Sequence, residues 1–380
     1  MELAGYGQST PVTDGKTIYI TSVSGDNKEQ LHVQALSVDR GEELWRRDFA
    51  NVSPEPNNSY VSRAAPSPAA DRDGVVAFFE GGNVVALDAA GEVRWELNLV
   101  EQYGALAARH GLAASLEQDE SRVFVWVERQ ENPFVLALNK KSGAVEWKSD
   151  GVGATSWSSP RLISVGESNH LVLSAIGSLV GLDAETGERL WTLEGVTGNS
   201  APTPVPMGIG RFLIGATTGR GTSAGGGAAA SNGVVEIVQS EAGDWSAAYA
   251  WRAKRATSSF GSPIAHRGCV YFINRSGVVY CLDAATGEEH YAKRIGSSSW
   301  ATPIGAGEHV YFFGKDGSAT VLKAGAKFEA VGESTTWETG TASTEGAPGP
   351  RLGNPVLYAA SIINGKLLLR RGDRLYCVKP

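Results

Sequence analysis

Short apolar runs alternate along this chain with clusters of Gly, Asp, Ser and Thr: IYITSV (18–23), VVAFF (75–79), VFVWV (123–127), HLVLSA (170–175), RFLI (211–214), CVYFI (269–273) and HVYFF (309–313). Runs of this length, rich in Val, Ile, Tyr and Phe and bounded by turn formers, predict β-strands. Helical spacing is confined to 98–112, where Leu99, Tyr103 and Leu106 fit a short helix.

The strands belong to a repeat. ALSVDRGEELW ends at Trp45, ALDAAGEVRW at Trp95, ALNKKSGAVEW at Trp147, GLDAETGERLW at Trp191 and CLDAATGEEHY at Tyr291. Degenerate copies end at Trp245 (VQSEAGDW) and Phe328 (VLKAGAKF), and a stub, YCVKP, closes the chain. The turn marks are 40 residues apart at their closest (Asp283 to Lys323) and 56 at their widest (Asp183 to Gln239), which makes eight units. Ahead of most copies stands Ser/Thr-Pro, a short strand, a turn and an apolar strand, as in QSTPVTDGKTIYI (8–20) and GSPIAHRGCVYFI (261–273). Four short antiparallel strands per unit predict an all-β, eight-bladed propeller, one domain over residues 1–380.

Within a copy, Asp88, Asp183 and Asp283 end the third strand and accept turn N–H groups, and Gly187 and Gly287 supply a positive φ. The rings of Trp45, Trp95, Trp147, Trp191 and Tyr291 are then wedges between blades. The eighth unit, 351–380, lacks its outer strand, and residues 1–7 are expected to complete it. Aligning MetGluLeu at 1–3 with TrpGluLeu at 95–97 puts Met1 at the wedge place. Trp337, in the polar stretch 332–350, is either a displaced wedge or an exposed contact. The Gly/Ala/Ser stretch 215–233 lacks GK[ST] and is expected to be a hairpin tip rather than a phosphate cradle.

Net charge is −7 with 20% charged residues and no Lys/Arg run, which argues against a nucleic-acid partner. No apolar stretch is long enough to span a bilayer. MELAGYGQSTP has neither a basic leader nor an apolar core, so no signal peptide stands in this sequence, and the pattern starts in mid-unit. Cys269, Cys281 and Cys377 form no CxxC; they read as buried thiols in strands, with a cross-hairpin pair of Cys269 and Cys281 left open.

The LDxxTG-to-Trp copies and Ser/Thr-Pro openings resemble the pyrroloquinoline-quinone-like (PQQ-like) propeller repeats over essentially the whole chain. That family includes quinoprotein alcohol dehydrogenases and BamB-type outer-membrane assembly lipoproteins. The resemblance implies an extracytoplasmic protein, in the periplasm or cell envelope. Function in propellers sits where loops enter the inner strands. The residues there are Gln8, Trp157, Phe260 and Trp300, with Arg63 and Asn199 as near-equivalents: an aromatic funnel for a partner protein or small ligand. The dehydrogenases' vicinal disulfide and Ca²⁺-holding carboxylates have no counterpart, the histidines show no metal spacing, and no nucleophile elbow is present. The expectation is a monomeric, non-catalytic scaffold, outer-membrane assembly-like or a sensor domain, without cofactor or metal. The alternatives are a quinoprotein-type oxidoreductase and a carbohydrate-binding propeller.

Overall fold

The computed structural model describes residues 1–56, 62–153, 156–217, 226–296, 298–337 and 356–379. Parts of the stretches 215–233 and 332–350, and residues 351–355 of the last unit, lie outside them.

The chain is all-β, an eight-bladed propeller of antiparallel sheets, seven of them four-stranded and the one at 359–378 three-stranded; among the described residues there are two short helices, Leu99–Tyr103 and Gly226–Ala229. The blades span 12–50, 69–98, 117–150, 161–194, 205–252, 264–294, 304–335 and 359–378, each a meander in chain order. The second and third strands are almost wholly buried, whereas the outer strand Glu43–Ala50 alternates exposed and half-buried positions. Leu106 falls outside the first helix, whose start is capped by the Asn98 side chain accepting from the N–H groups of Val100 and Glu101. By their contacts the residues fall into two compact units, described separately: 1–150 with 337–380 (blades 1, 2, 3 and 8), and 151–336 (blades 4 to 7).

Each letter of the repeat has a structural cause. In GLDAETGERLW, Gly181 pairs with Trp191 across the sheet, and a β-carbon there would lie 2.1 Å from the indole. Ala35, Ala86, Ala137 and Cys281 hold the same place opposite Trp45, Trp95, Trp147 and Tyr291. A bulge follows this pair in each of these blades, which turns the ring toward the neighbouring blade. The Asp183 carboxylate accepts from the N–H groups of Glu185 and Thr186 and from the Thr186 hydroxyl, at 2.8, 2.8 and 3.1 Å. Asp283 repeats this geometry, and these bonds hold its carboxyl below the usual range. Asp88 accepts from Ala90 and Glu92. Gly187 and Gly287 have φ of 74° and 71°.

The turn glycine also receives the previous blade's ring. Trp45 packs on Gly91 and donates to the Ala89 carbonyl at 2.9 Å; Trp95 packs on Gly143 and donates to Lys140 at 2.9 Å. The fifth blade departs from the sequence alignment. Its ring at the bulge is Trp251, not Trp245: Trp251 pairs with Val234, packs on Gly287 and donates to Ala284 at 3.1 Å. Trp245 instead turns its edge to His170 in blade 4, at 4.6 Å. With no regular turn in blade 5 to receive it, Trp191 donates to His170 Nδ1 at 3.0 Å and stacks on Phe212. In blade 7 the bulge position is Gly332, and Phe328 lies partly exposed against Tyr291. Trp337 is buried against Tyr376 and under Arg371, which resolves the two readings in favour of packing. Cys269 and Cys281 are buried free thiols, and Cys377 is exposed.

Residues 1–3 lie along the outer edge of Arg374–Val378. Glu2 bridges Arg374, Leu3 N–H donates to Asp373, and Met1 and Leu375 exchange hydrogen bonds. Leu99 and Ile295 make the bond of Leu3 in their own blades, to Gly82 and Gly277, four residues after Trp95 and Tyr291. The wedge place of blade 8 is therefore two residues ahead of Met1, not Met1 itself. A two-residue slip leaves every side chain on the same face, so the apolar pattern could not reveal it.

Candidate functional site

The Ser/Thr-Pro openings form a hydrogen-bonded ladder between blades. Thr10 N–H donates to Ser67 Oγ at 2.8 Å, and Ser67 N–H to Ser115 Oγ at 3.0 Å. In the second unit Ser159 donates to Thr203, Thr203 to Ser262 and Ser262 to Thr302, at 3.0, 2.9 and 3.1 Å. Each hydroxyl replaces a main-chain partner for an inner-strand end, and the following Pro needs none. Thr203→Val removes the hydroxyl that accepts from the Ser159 N–H and should cost about 1–3 kcal/mol. Denaturant unfolding checks this; Thr203→Ser, which keeps the oxygen, should stay near wild type.

Loops just upstream of this ladder carry the sequence-predicted residues. In the first unit Gln8 and Arg63 come together. Gln8 N–H donates to the Arg63 carbonyl at 3.1 Å, and Gln8 Oε1 accepts from Arg63 N–H at 3.1 Å. The Arg63 guanidinium is buried and lies 3.6 Å above the Tyr6 ring. Beneath this loop a buried Lys28–Glu80 pair, 3.6 Å apart, holds the main chain: Lys28 donates to the Ser62 carbonyl and Glu80 accepts from Ala64 N–H. Burial pushes the Glu80 carboxyl up, against the pull of Lys28.

Arg370 lies in the same unit and is fully buried. It donates to Ser9 O and Oγ at 3.2 and 2.6 Å, to Thr21 O at 2.7 Å and to Gly372 O at 3.3 Å. Burial draws its guanidinium down to about 9, so it stays cationic at neutral pH. A β-carbon at residue 7 would come within 2.2 Å of it, which explains Gly7. Tyr6 and Tyr358 share a 2.7 Å hydroxyl contact beside it, and burial raises the Tyr6 phenol far above its ordinary value.

In the second unit Phe260 and Trp300 pair at 5.1 Å, and the Arg275 guanidinium lies 4.5 Å over Phe260. Phe260 is 41% exposed. Trp157 has φ of +58°, and Ala201, three residues before its own Pro as Trp157 is, has φ of +80°. Non-glycine residues held in this region carry strain that marks built loops. Asn199 lies two residues upstream of Ala201, and its amide serves the hairpin of the preceding blade. It donates to Ser174 Oγ, Ala175 O and Ser178 O and accepts from Gly177 N–H. Arg275 and Arg370 are additions to the sequence-derived set. Arg275 stands at the tip of an ordinary hairpin turn, and only its nearness to Phe260 distinguishes it.

The side chains at these loops are Gln8, Arg63, Trp157, Phe260, Arg275 and Trp300, a cationic and aromatic set without carboxylates. Among the described residues no group of three His, Cys, Asp or Glu is placed to hold a metal, and no helix is long and apolar enough to cross a membrane.

The fold and its inter-blade devices define a class, the PQQ-like repeat propellers. The family model for the outer membrane protein assembly factor BamB matches residues 1–107, 107–327 and 231–366. The chain belongs to that family. BamB from Moraxella catarrhalis is similar in structure, with a TM-score of 0.67 at 16% identity, covering 99% of this chain and 94% of that one. The computationally designed Ika8 protein is similar at a TM-score of 0.63 and 12% identity, over 99% and 98%. Quinohemoprotein alcohol dehydrogenase from Comamonas testosteroni is similar at 0.57 and 14%, over 97% of this chain and 70% of that one. At these identities the likeness concerns fold. No curated protein sequence matches the chain.

Proposed function

We propose that this chain is a non-catalytic scaffold of the cell envelope that binds a partner protein through the loops leading into its inner strands. The observation that carries the reading is the exposed Phe260, paired with Trp300 and covered by Arg275. Aromatic and Arg side chains of this kind dominate binding energy at protein interfaces. The envelope setting rests on the family, whose name describes outer-membrane protein assembly. The alternative enzymatic reading would need a constellation of acid, base or nucleophile at these loops, and the loop residues are Gln, Trp, Phe and Arg.

A photo-crosslinking residue at position 260, in a Gram-negative host envelope, tests this. The expected result is one dominant protein adduct, reduced about tenfold or more by Trp300→Ala, as loss of a hot-spot ring predicts. A crosslinker at Val93, exposed on an outer strand, should give no such adduct. Equal labelling from both positions, or none at 260, refutes the proposal.

A further inference from the structure

Blade 1 places a serine, a histidine and an aspartate in one hydrogen-bonded line across its second, third and fourth strands. His32 pairs with Ser22 on one side and with Asp48 on the other, so Ser24, two residues along, shares its face of the sheet. Ser24 Oγ lies 2.8 Å from His32 Nε2, and His32 Nδ1 lies 2.7 Å from an Asp48 carboxylate oxygen. A carboxylate only accepts, so the ring proton sits on Nδ1 and Nε2 is left to accept from the Ser24 hydroxyl. That is the order of a nucleophile, its base and the group that orients the base. The imidazole is buried, and Gly5 lies against its edge, where a β-carbon would come within 3.2 Å of Cδ2. Arg46 Nε lies 3.2 Å from the same oxygen of Asp48, and both of these side chains are 44% exposed. Ser24 is partly exposed at the end of its strand, just before Gly25 turns the chain with φ of +90°.

We propose that Ser24 is an activated hydroxyl and a site of covalent acylation, taking acyl groups carried on good leaving groups, as in thioesters and aryl esters. Ser24 Oγ bonds to the acyl carbon as the bond to the leaving sulfur or oxygen breaks. His32 Nε2 takes the hydroxyl proton and returns it to the departing thiolate or phenolate, so the chain ends with one new ester and a neutral imidazole. Asp48 is the positioning residue: it fixes the tautomer and steadies the imidazolium. The reaction stops at one acyl group. In α/β-hydrolases the N–H of the residue after the nucleophile helps to hold the oxyanion. Here a β-carbon on Gly25 would run into the Glu29 carboxylate. The main-chain N–H of Glu29 and the Asn27 amide hold that carboxyl below the usual range, so negative charge stands beside Gly25 and opposes an oxyanion there. An activated ester reacts despite this field because its leaving group departs readily. The alkyl ester left on Ser24 has no such leaving group, and it persists. Ser24 is thus a modification site; it leaves the scaffold reading as it stands and does not depend on it.

The test incubates the full chain with p-nitrophenyl acetate. The expected result is a burst of p-nitrophenol that ends at one acetyl group per chain. Mass spectrometry of the digested wild-type protein should place that group on Ser24. His32→Gln should slow the burst about a hundredfold, as loss of a general base does. Asp48→Asn should slow it about tenfold or more, and Asp48→Glu should recover part of the rate, which a merely structural carboxylate would not do. Thermal melts of the variants, expected close to wild type, separate lost chemistry from lost fold. Acetyl groups spread over other side chains without enrichment at Ser24, an unchanged burst in Asp48→Asn, or wild-type release that continues past one equivalent and is abolished by Ser24→Ala would each overturn the proposal.

Discussion

Replacing Trp95 by Ala is expected to cost about 3–5 kcal/mol of folding stability, the range for a large buried aromatic. The ring is buried at the seam of blades 2 and 3, in a core with Phe78, Val125 and Leu136. It rests on Gly143, a position whose φ of +73° suits glycine, so the neighbouring turn cannot move in to fill the cavity. Trp95→Phe keeps most of the apolar area and loses the N–H bond to Lys140, which should cost about 1–2 kcal/mol. Chemical denaturation of both variants separates packing from hydrogen bonding. A Trp95→Ala protein within about 1 kcal/mol of wild type would refute the wedge account.

Arg370→Met is expected to lose a comparable amount, about 3–5 kcal/mol, since hydrogen bonds from a charged donor contribute about 1.5–3 kcal/mol each and do not add fully. Ser9, Thr21 and Gly372 would be left with buried acceptors. Ser9 lies at the first blade's entry, Thr21 in that blade's second strand and Gly372 in the eighth blade, so amide exchange should speed up first at residues 6–9 and 358–372. Arg370→Lys restores one charge but not the fork, and should recover only part of the loss. If the Met variant unfolds with wild-type midpoint and uniform exchange, Arg370 is not the tie between those blades.

The repeat exposed the fold because each of its letters has a local cause: a small residue under a ring, an Asp that caps a turn, a Gly that receives the next ring. Where local causes lapse, the alignment went astray. In blade 5 the outer strand is longer, and spacing from the turn selected Trp245 over Trp251, whose identity depends on a pairing with Val234. At the N-terminus the period of two hid a shift of two residues. The candidate site was less legible. Phe260 and Trp300 shared a position relative to Pro, and this brought them out together. Asn199 shared a count of residues but not a backbone position, since Ala201 holds the strained place. Arg275 and Arg370 carried no sequence signal, because what singles them out is a ring in another loop or acceptors far along the chain.

The Ser/Thr ladder has a bearing on ancestry and engineering. Along it Thr10 donates to Ser67 and Ser67 to Ser115, and in the second unit Ser159, Thr203 and Ser262 each donate to the hydroxyl of the blade that follows. At these five junctions the join is of one kind, so a gene segment encoding one such copy could be duplicated within either run without stranding a donor at the splice. Copy number within such a run is open to recombination, whereas the Arg370 bonds are particular to the junction of the eighth and first blades.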